Sequence, residues 1–207
     1  IKLGYESHAN IDLYQGQARF AEGKVIEVNE ERLTADKIYI ATGTRPSVPR
    51  IPGLEGTPYM TSREALRTAD QPQKMIVIGG GYIAVELGHF YGAMGTQVDF
   101  LVRSSMIRAE DSDIREQFEQ DFSSRHKVHF DTSPTKVEYR DETFFVTVEG
   151  KDGQESVMEA DSLFVATGVE PNTDDLGLEY TSVNRNDKGW IEVDDYLETA
   201  EAGVYAL

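Results

Sequence analysis

Six residues near the middle of the chain, Gly79-Gly80-Gly81-Tyr82-Ile83-Ala84, limit its fold more than any others. They close an unbroken apolar run, residues 75–79 (MIVIG), of the kind a parallel strand covered on both faces requires. They open a segment from Ile83 to Met94 in which Ile83, Leu87, Phe90 and Tyr91 recur at helical spacing, with Gly95 placed to form a left-handed cap. Val98 to Val102 then reads as a second strand. Strand, glycine turn, helix and strand make a βαβ unit. Within it Gly79 permits a tight turn, Gly81 lacks the Cβ that would block a pyrophosphate, and the small Ala84 lets helix and strand pack closely. A dinucleotide bound there meets the helix N-terminus, where free N–H groups and the helix dipole favour negative charge. Gly79, Gly80, Gly81, Tyr82 and Ile83 are therefore the first candidate cofactor-binding residues.

The end of the second strand discriminates between nucleotides. About 20 residues past the glycines, an Asp or Glu bonds the ribose 2′-hydroxyl of NAD. Here that position reads Leu101-Val102-Arg103 and holds no carboxylate. Asp99 lies inside the strand and does not supply one. Arg103, Ser104, Ser105 and Arg108 instead offer guanidinium and hydroxyl donors suited to a 2′-phosphate. The expected cofactor is NADPH in preference to NADH, with Arg103, Ser104 and Arg108 as its specificity residues.

Around this unit the pattern is mixed α/β. Residues 11–41 read as a small antiparallel β-meander of three strands: IDLYQGQARF, KVIEVN and RLTADKIYIAT. From Thr44 to Pro58, four prolines and two glycines predict a linker without regular structure. Ser62 has the character of an N-cap ahead of Ala65, Leu66 and Ala69. A polar helix over Ser112 to Arg125, a strand at Val128 to Phe130 and three more strands up to Val165 complete the unit. No repeat of 20–50 residues breaks this reading.

Composition excludes several classes of function. With 37 acidic against 20 basic residues, the net charge of −17 repels nucleic acid and anionic lipid. The acidity fits either ordinary solubility or a surface suited to high salt. No apolar run reaches the roughly 20 residues of a membrane span, and the opening IKLGYESHAN is unlike a secretory signal. The expected location is cytoplasmic, and both ends look cut from a longer chain. With no cysteine, the segment holds neither a disulfide nor a redox Cys pair. His8, His89, His126 and His129 follow no metal or triad spacing, so no metal site and no catalytic residue is expected.

Taken together, GGGYIAVE with LVRSSMIR behind it, Ala41-Thr42-Gly43 with Arg45-Pro46, Ala166-Thr167-Gly168 with Pro171-Asn172, and Gly189-Trp190-Ile191 onward resemble the class I pyridine nucleotide-disulfide oxidoreductases. Glutathione, mycothione and mercuric reductases and dihydrolipoamide dehydrogenase belong there. The resemblance implies a Rossmann-like FAD/NAD(P)-binding fold, a parallel sheet accompanied by an antiparallel β-meander. It also implies a division of the chain: residues 1–60 as part of an FAD domain, 61–170 as the inserted NAD(P)H-binding domain, and 171–207 as a return to the FAD domain. Further FAD and dimerisation domains of the same protein, the redox cysteines and a catalytic His would lie elsewhere, in a homodimer.

Carried over by position, Tyr82 matches the tyrosine that covers the flavin face, and Glu86 the helix carboxylate beside the nicotinamide. Arg103 and Arg108 match the 2′-phosphate arginines, at a spacing of five residues where six is usual. Thr42, Gly43 and Gly168 belong to the two ATG triplets that close on the cofactors. Val169 departs from the family, since an Arg often follows the second triplet. The implied function is transfer of hydride from NADPH to FAD in a flavin-dependent disulfide reductase. Two alternatives stand beside it: part of an NAD(P)H oxidase or peroxidase, and a non-catalytic NADPH-binding module.

Overall fold

A computed structural model describes residues 2–207 of the chain. In chain order, α1 (Lys2–Glu6) precedes β1 (Ala18–Glu22), β2 (Val25–Val28), β3 (Glu31–Leu33), β4 (Ile38–Ile40) and β5 (Thr44–Pro46). Then come α2 (Ser62–Ala65), β6 (Lys74–Ile78), α3 (Tyr82–Ala93), β7 (Gln97–Val102), α4 (Ser112–Arg125) and β8 (Lys127–Phe130). Strands β9 (Ser133–Arg140), β10 (Thr143–Glu149), β11 (Glu155–Ala160), β12 (Ser162–Val165), β13 (Val169–Pro171) and β14 (Val204–Ala206) follow. The chain forms two compact units: residues up to 45 together with 170–207, and residues 46–169.

In the 46–169 unit the parallel strands run in the order β12-β6-β7-β8. Their side chains alternate between two apolar layers, which is why the strands read as continuous hydrophobic runs. Met75, Val77, Phe100 and Val102 pack with Ala84 and Tyr91 of α3 and Phe122 of α4. Ile76, Ile78, Leu101, Leu163 and Val165 pack on the opposite side, against Val137, Phe144 and Val146 of the antiparallel sheet β11-β10-β9. Close packing of α3 on β7 has its own requirement: a Cβ on Gly88 would lie 2.4 Å from the Phe100 ring.

The proline-rich stretch expected as a bare linker is part of this unit. Leu54 is fully buried in the second layer and Ile51 packs beside it. Val137 donates its backbone N–H to the Pro52 carbonyl at 2.8 Å. A Cβ on Gly53, whose φ is +79, would sit 2.0 Å from the Val137 carbonyl oxygen, so the strip fits here only with glycine at that point. The cap of α2 falls one residue earlier than expected. Thr61, not Ser62, accepts the Arg63 N–H, and the Glu64 carboxylate accepts the Thr61 N–H at 2.8 Å, closing a capping box.

The other unit holds the meander β1-β2-β3 and a parallel pair, β14 beside β4. Phe20, Ile38, Ile40, Leu178, Val204 and Ala206 form its core. The third meander strand, read from the sequence as one element, is two: β3 stays with β2, whereas β4 leaves to pair with β14. The new pairing fits closely at Gly203, whose φ is +77. Ile38 donates to its carbonyl at 2.9 Å, and any Cβ there would lie 2.5 Å from the Asp36 carbonyl.

Candidate nucleotide-binding cleft

Strand order positions the site. The chain runs from β6 outward through β7 to β8, then returns to place β12 on the other side of β6, and such a reversal leaves a crevice beyond the strands' carboxyl ends. A cleft of about 780 Å³ opens there, wholly within the 46–169 unit. Its lining includes Gly79, Gly80, Gly81, Tyr82, Ile83, Arg103, Ser104, Arg108 and Gly168. Nine of the twelve residues singled out from the sequence thus meet in one place.

Each glycine of the turn has a different role. Gly79 has φ +132, and a Cβ on it would stand 2.2 Å from the Ala166 carbonyl at the end of β12. That approach, as much as the tightness of the turn, demands glycine. Gly80 abuts Val102 and Met106, whereas a Cβ on Gly81 would meet nothing within 4 Å. The open space at Gly81 is where a bulky ligand group can approach the backbone. Gly81 is also the N-cap of α3 and carries no side-chain cap, so the first amides of a 12-residue helix face that space. Ala84 is completely buried under the same helix.

The segment after β7 is fastened to the turn. Ile107 donates its N–H to the Gly80 carbonyl at 2.7 Å, and Met106 donates to Glu119 Oε1 at 2.7 Å. This places Arg103 and Arg108 on the cleft rim, both exposed and, among the described residues, without a hydrogen-bond or ion-pair partner. The Tyr82 hydroxyl donates to Glu110 Oε1 from the same segment, and this bond to a carboxylate pushes the phenol above its ordinary range. Three expected residues are not part of the lining. Glu86 is exposed one turn along α3, and Thr42 and Gly43 belong to the other unit, where their carbonyls accept from the Asn172 side chain and backbone at 3.0 Å each.

Residues that sequence reasoning passed over complete the walls. Ser47, Pro49, Arg50 and Ile51 come from the proline-rich strip. It is tied to the end of β12, with Ser47 donating its N–H to the Gly168 carbonyl at 2.9 Å and Thr167 its hydroxyl to the Ser47 carbonyl at 2.6 Å. Nothing local in the sequence signals this, because the partners lie 120 residues apart. The cleft lining includes three arginines and no carboxylate, in a chain of net charge −17. A second cleft of about 630 Å³ mixes Lys74 and Lys127 with Asp152, Glu155 and Glu159 and has no such bias.

Asp99 is engaged elsewhere. It is buried, accepts from His129 Nε2 at 2.7 Å and pairs with Lys127 at 3.1 Å. Burial alone would raise its carboxyl, but these two partners outweigh burial and hold it below the usual carboxylate range. His89 and His126 contact each other at 2.9 Å, and burial, with His89 beside it, lowers the His126 imidazole. Among the described residues no three His, Asp or Glu side chains gather to hold a metal, and no helix is long and apolar enough to cross a membrane.

An uncapped helix over a glycine turn, with an arginine-lined rim at the reversal of strand order, is the form of a Rossmann-like dinucleotide-binding crevice. The pyridine nucleotide-disulphide oxidoreductase family matches residues 1–207, and the chain belongs to it. It is 38% identical over 198 residues to mercuric reductase of Staphylococcus aureus and 36% identical over 202 residues to that of Lysinibacillus sphaericus. These alignments cover 94% and 95% of this chain but 36% of each relative. Among solved structures, the HOCl-induced flavoprotein disulfide reductase RclA from Escherichia coli superposes with a TM-score of 0.84 at 26% identity, over 98% of this chain and 46% of that one.

Proposed function

We propose that the cleft binds NADPH and that the intact protein uses it as a flavin-dependent disulfide oxidoreductase. One observation carries this reading: the backbone of Gly81 opens onto free space beside two unpartnered guanidiniums, Arg103 and Arg108, in a lining without carboxylates. The uncapped N-terminus of α3 suits the pyrophosphate, and the two arginines with Ser104 suit the 2′-phosphate. When bound, NADPH supplies a hydride and FAD accepts it. The protein's part is alignment and exclusion of water. Tyr82 covers the reacting face, Gly80, Ile83 and Gly168 line the nucleotide path, and Glu86 holds the carboxamide end.

In this reading residues 1–60 and 171–207, with Thr42 and Gly43, contribute to the FAD domain and 61–170 form the nucleotide domain, with the 46–60 strip of the former packed onto the latter and supplying one wall of its cleft. The remaining FAD and dimerisation regions of the same protein are its partners, in a cytoplasmic homodimer. Titration calorimetry with the non-reducing nucleotides tests the cofactor assignment. NADP⁺ is expected to bind more tightly than NAD⁺, and Arg103→Ala to remove most of the difference. Equal affinities in the unsubstituted protein would overturn it.

A further inference from the structure

We infer that Arg50 clamps the pyrophosphate of the bound nucleotide from the wall opposite α3, an assignment that rests on the cofactor reading above. The two walls of the cleft come from opposite faces of the parallel sheet. The glycine turn, α3 and the Met106–Ile107 segment pack in the layer with Phe100 and Phe122. The strip that carries Arg50 packs through Ile51 and Leu54 in the layer with Val137 and Phe144. A ligand lying over the end of β6 is therefore flanked by the helix N-terminus on one side and by Arg50 on the other.

The position of the strip decides which phosphate Arg50 meets. Ser47 fastens the strip to Thr167 and Gly168 at the end of β12, and Val137 fastens it again at Pro52. Arg103 and Arg108 follow β7, on the far side of β6 from β12. Neighbouring strands are about 4.8 Å apart, so β12 and β7 bracket the glycine turn. The 2′-phosphate is met by the pair after β7, and the phosphates over β6 are left to the turn and Arg50. Arg50 is exposed and has no ion-pair partner among the described residues, so its charge is free for an anion. It is fixed at its base but free at its tip.

The pyrophosphate is common to NADPH and NADH, whereas the 2′-phosphate is not, and this separates Arg50 from Arg103. In the full-length protein, calorimetric titration with NADP⁺ and NAD⁺ is expected to show Arg50→Ala weakening both about tenfold, the loss of one charge-assisted hydrogen bond. The ratio between the two affinities should stay unchanged, and Arg50→Lys should recover part of the loss. Unchanged affinity in Arg50→Ala, or a loss confined to NADP⁺, would overturn the pyrophosphate assignment. Failure of the unsubstituted protein to bind either nucleotide would instead overturn the cofactor reading on which it rests.

Discussion

The glycine turn shows how far a motif can be resolved into individual contacts. The fingerprint predicts small residues at Gly79, Gly81 and Ala84, but it does not say that Gly79 is held against the neighbouring strand. A Cβ there would meet a backbone carbonyl, which cannot swing aside as a flexible side chain can, and φ of +132 is unfavourable for any L-residue. Gly79→Ala is thus expected to destabilise the 46–169 unit by about 2–4 kcal/mol, read as a lower urea midpoint. A midpoint within experimental error of the parent would show that β12 yields at this point. The place of Arg103 on the cleft rim was legible because it stands at a fixed distance from the turn. Arg50 was not, because its meaning depends on a strip whose anchors, Gly168 and Val137, are remote in sequence.

At the scale of elements, the strands of the βαβ unit were legible because burial on both faces gives continuous apolar runs. By contrast, α3 was legible in its bounds but not its face: of Ile83, Leu87, Phe90 and Tyr91 only Tyr91 is buried, beside the small Ala84 and Gly88 that let the helix approach the sheet, and Ile83 and Phe90 are exposed. The helix read from Ile83 to Met94 is Tyr82–Ala93, and the polar helix is Ser112–Arg125 as expected. The meander was read less well, because the partner of β4 arrives from residues 204–206 and no local pattern announces it. The β7–β8 edge shows a different local device. Asp99 and Lys127 are register partners across it, and His129 reaches the same carboxylate. Because the folded Asp99 titrates below its unfolded value of about 3.9, its contribution is present above that pH and fades as pH falls through the folded value. Asp99→Asn should cost about 1–2 kcal/mol at pH 7, with the gap narrowing toward pH 3 in parallel urea titrations. A gap that is constant with pH would mean that the carboxylate's charge is irrelevant to the edge.

The whole molecule sets an acidic surface against a cationic cleft. Self-repulsion at a net charge of −17 is long-ranged and falls as salt shortens the screening length from roughly 30 Å at 0.01 M to 3 Å at 1 M. The melting temperature is expected to climb with sodium chloride over that interval; a flat or falling profile would show that paired charges, which salt weakens, dominate instead. The strip from Pro46 to Met60 has a consequence for exchange between relatives. A transplanted nucleotide cassette beginning at residue 61 would leave behind Leu54, which seals one apolar layer, and the arginine of one cleft wall. The natural cut lies at 46, where the compact unit begins. Swaps made there carry the wall with the floor, and the recipient inherits a finished binding surface instead of an open sheet.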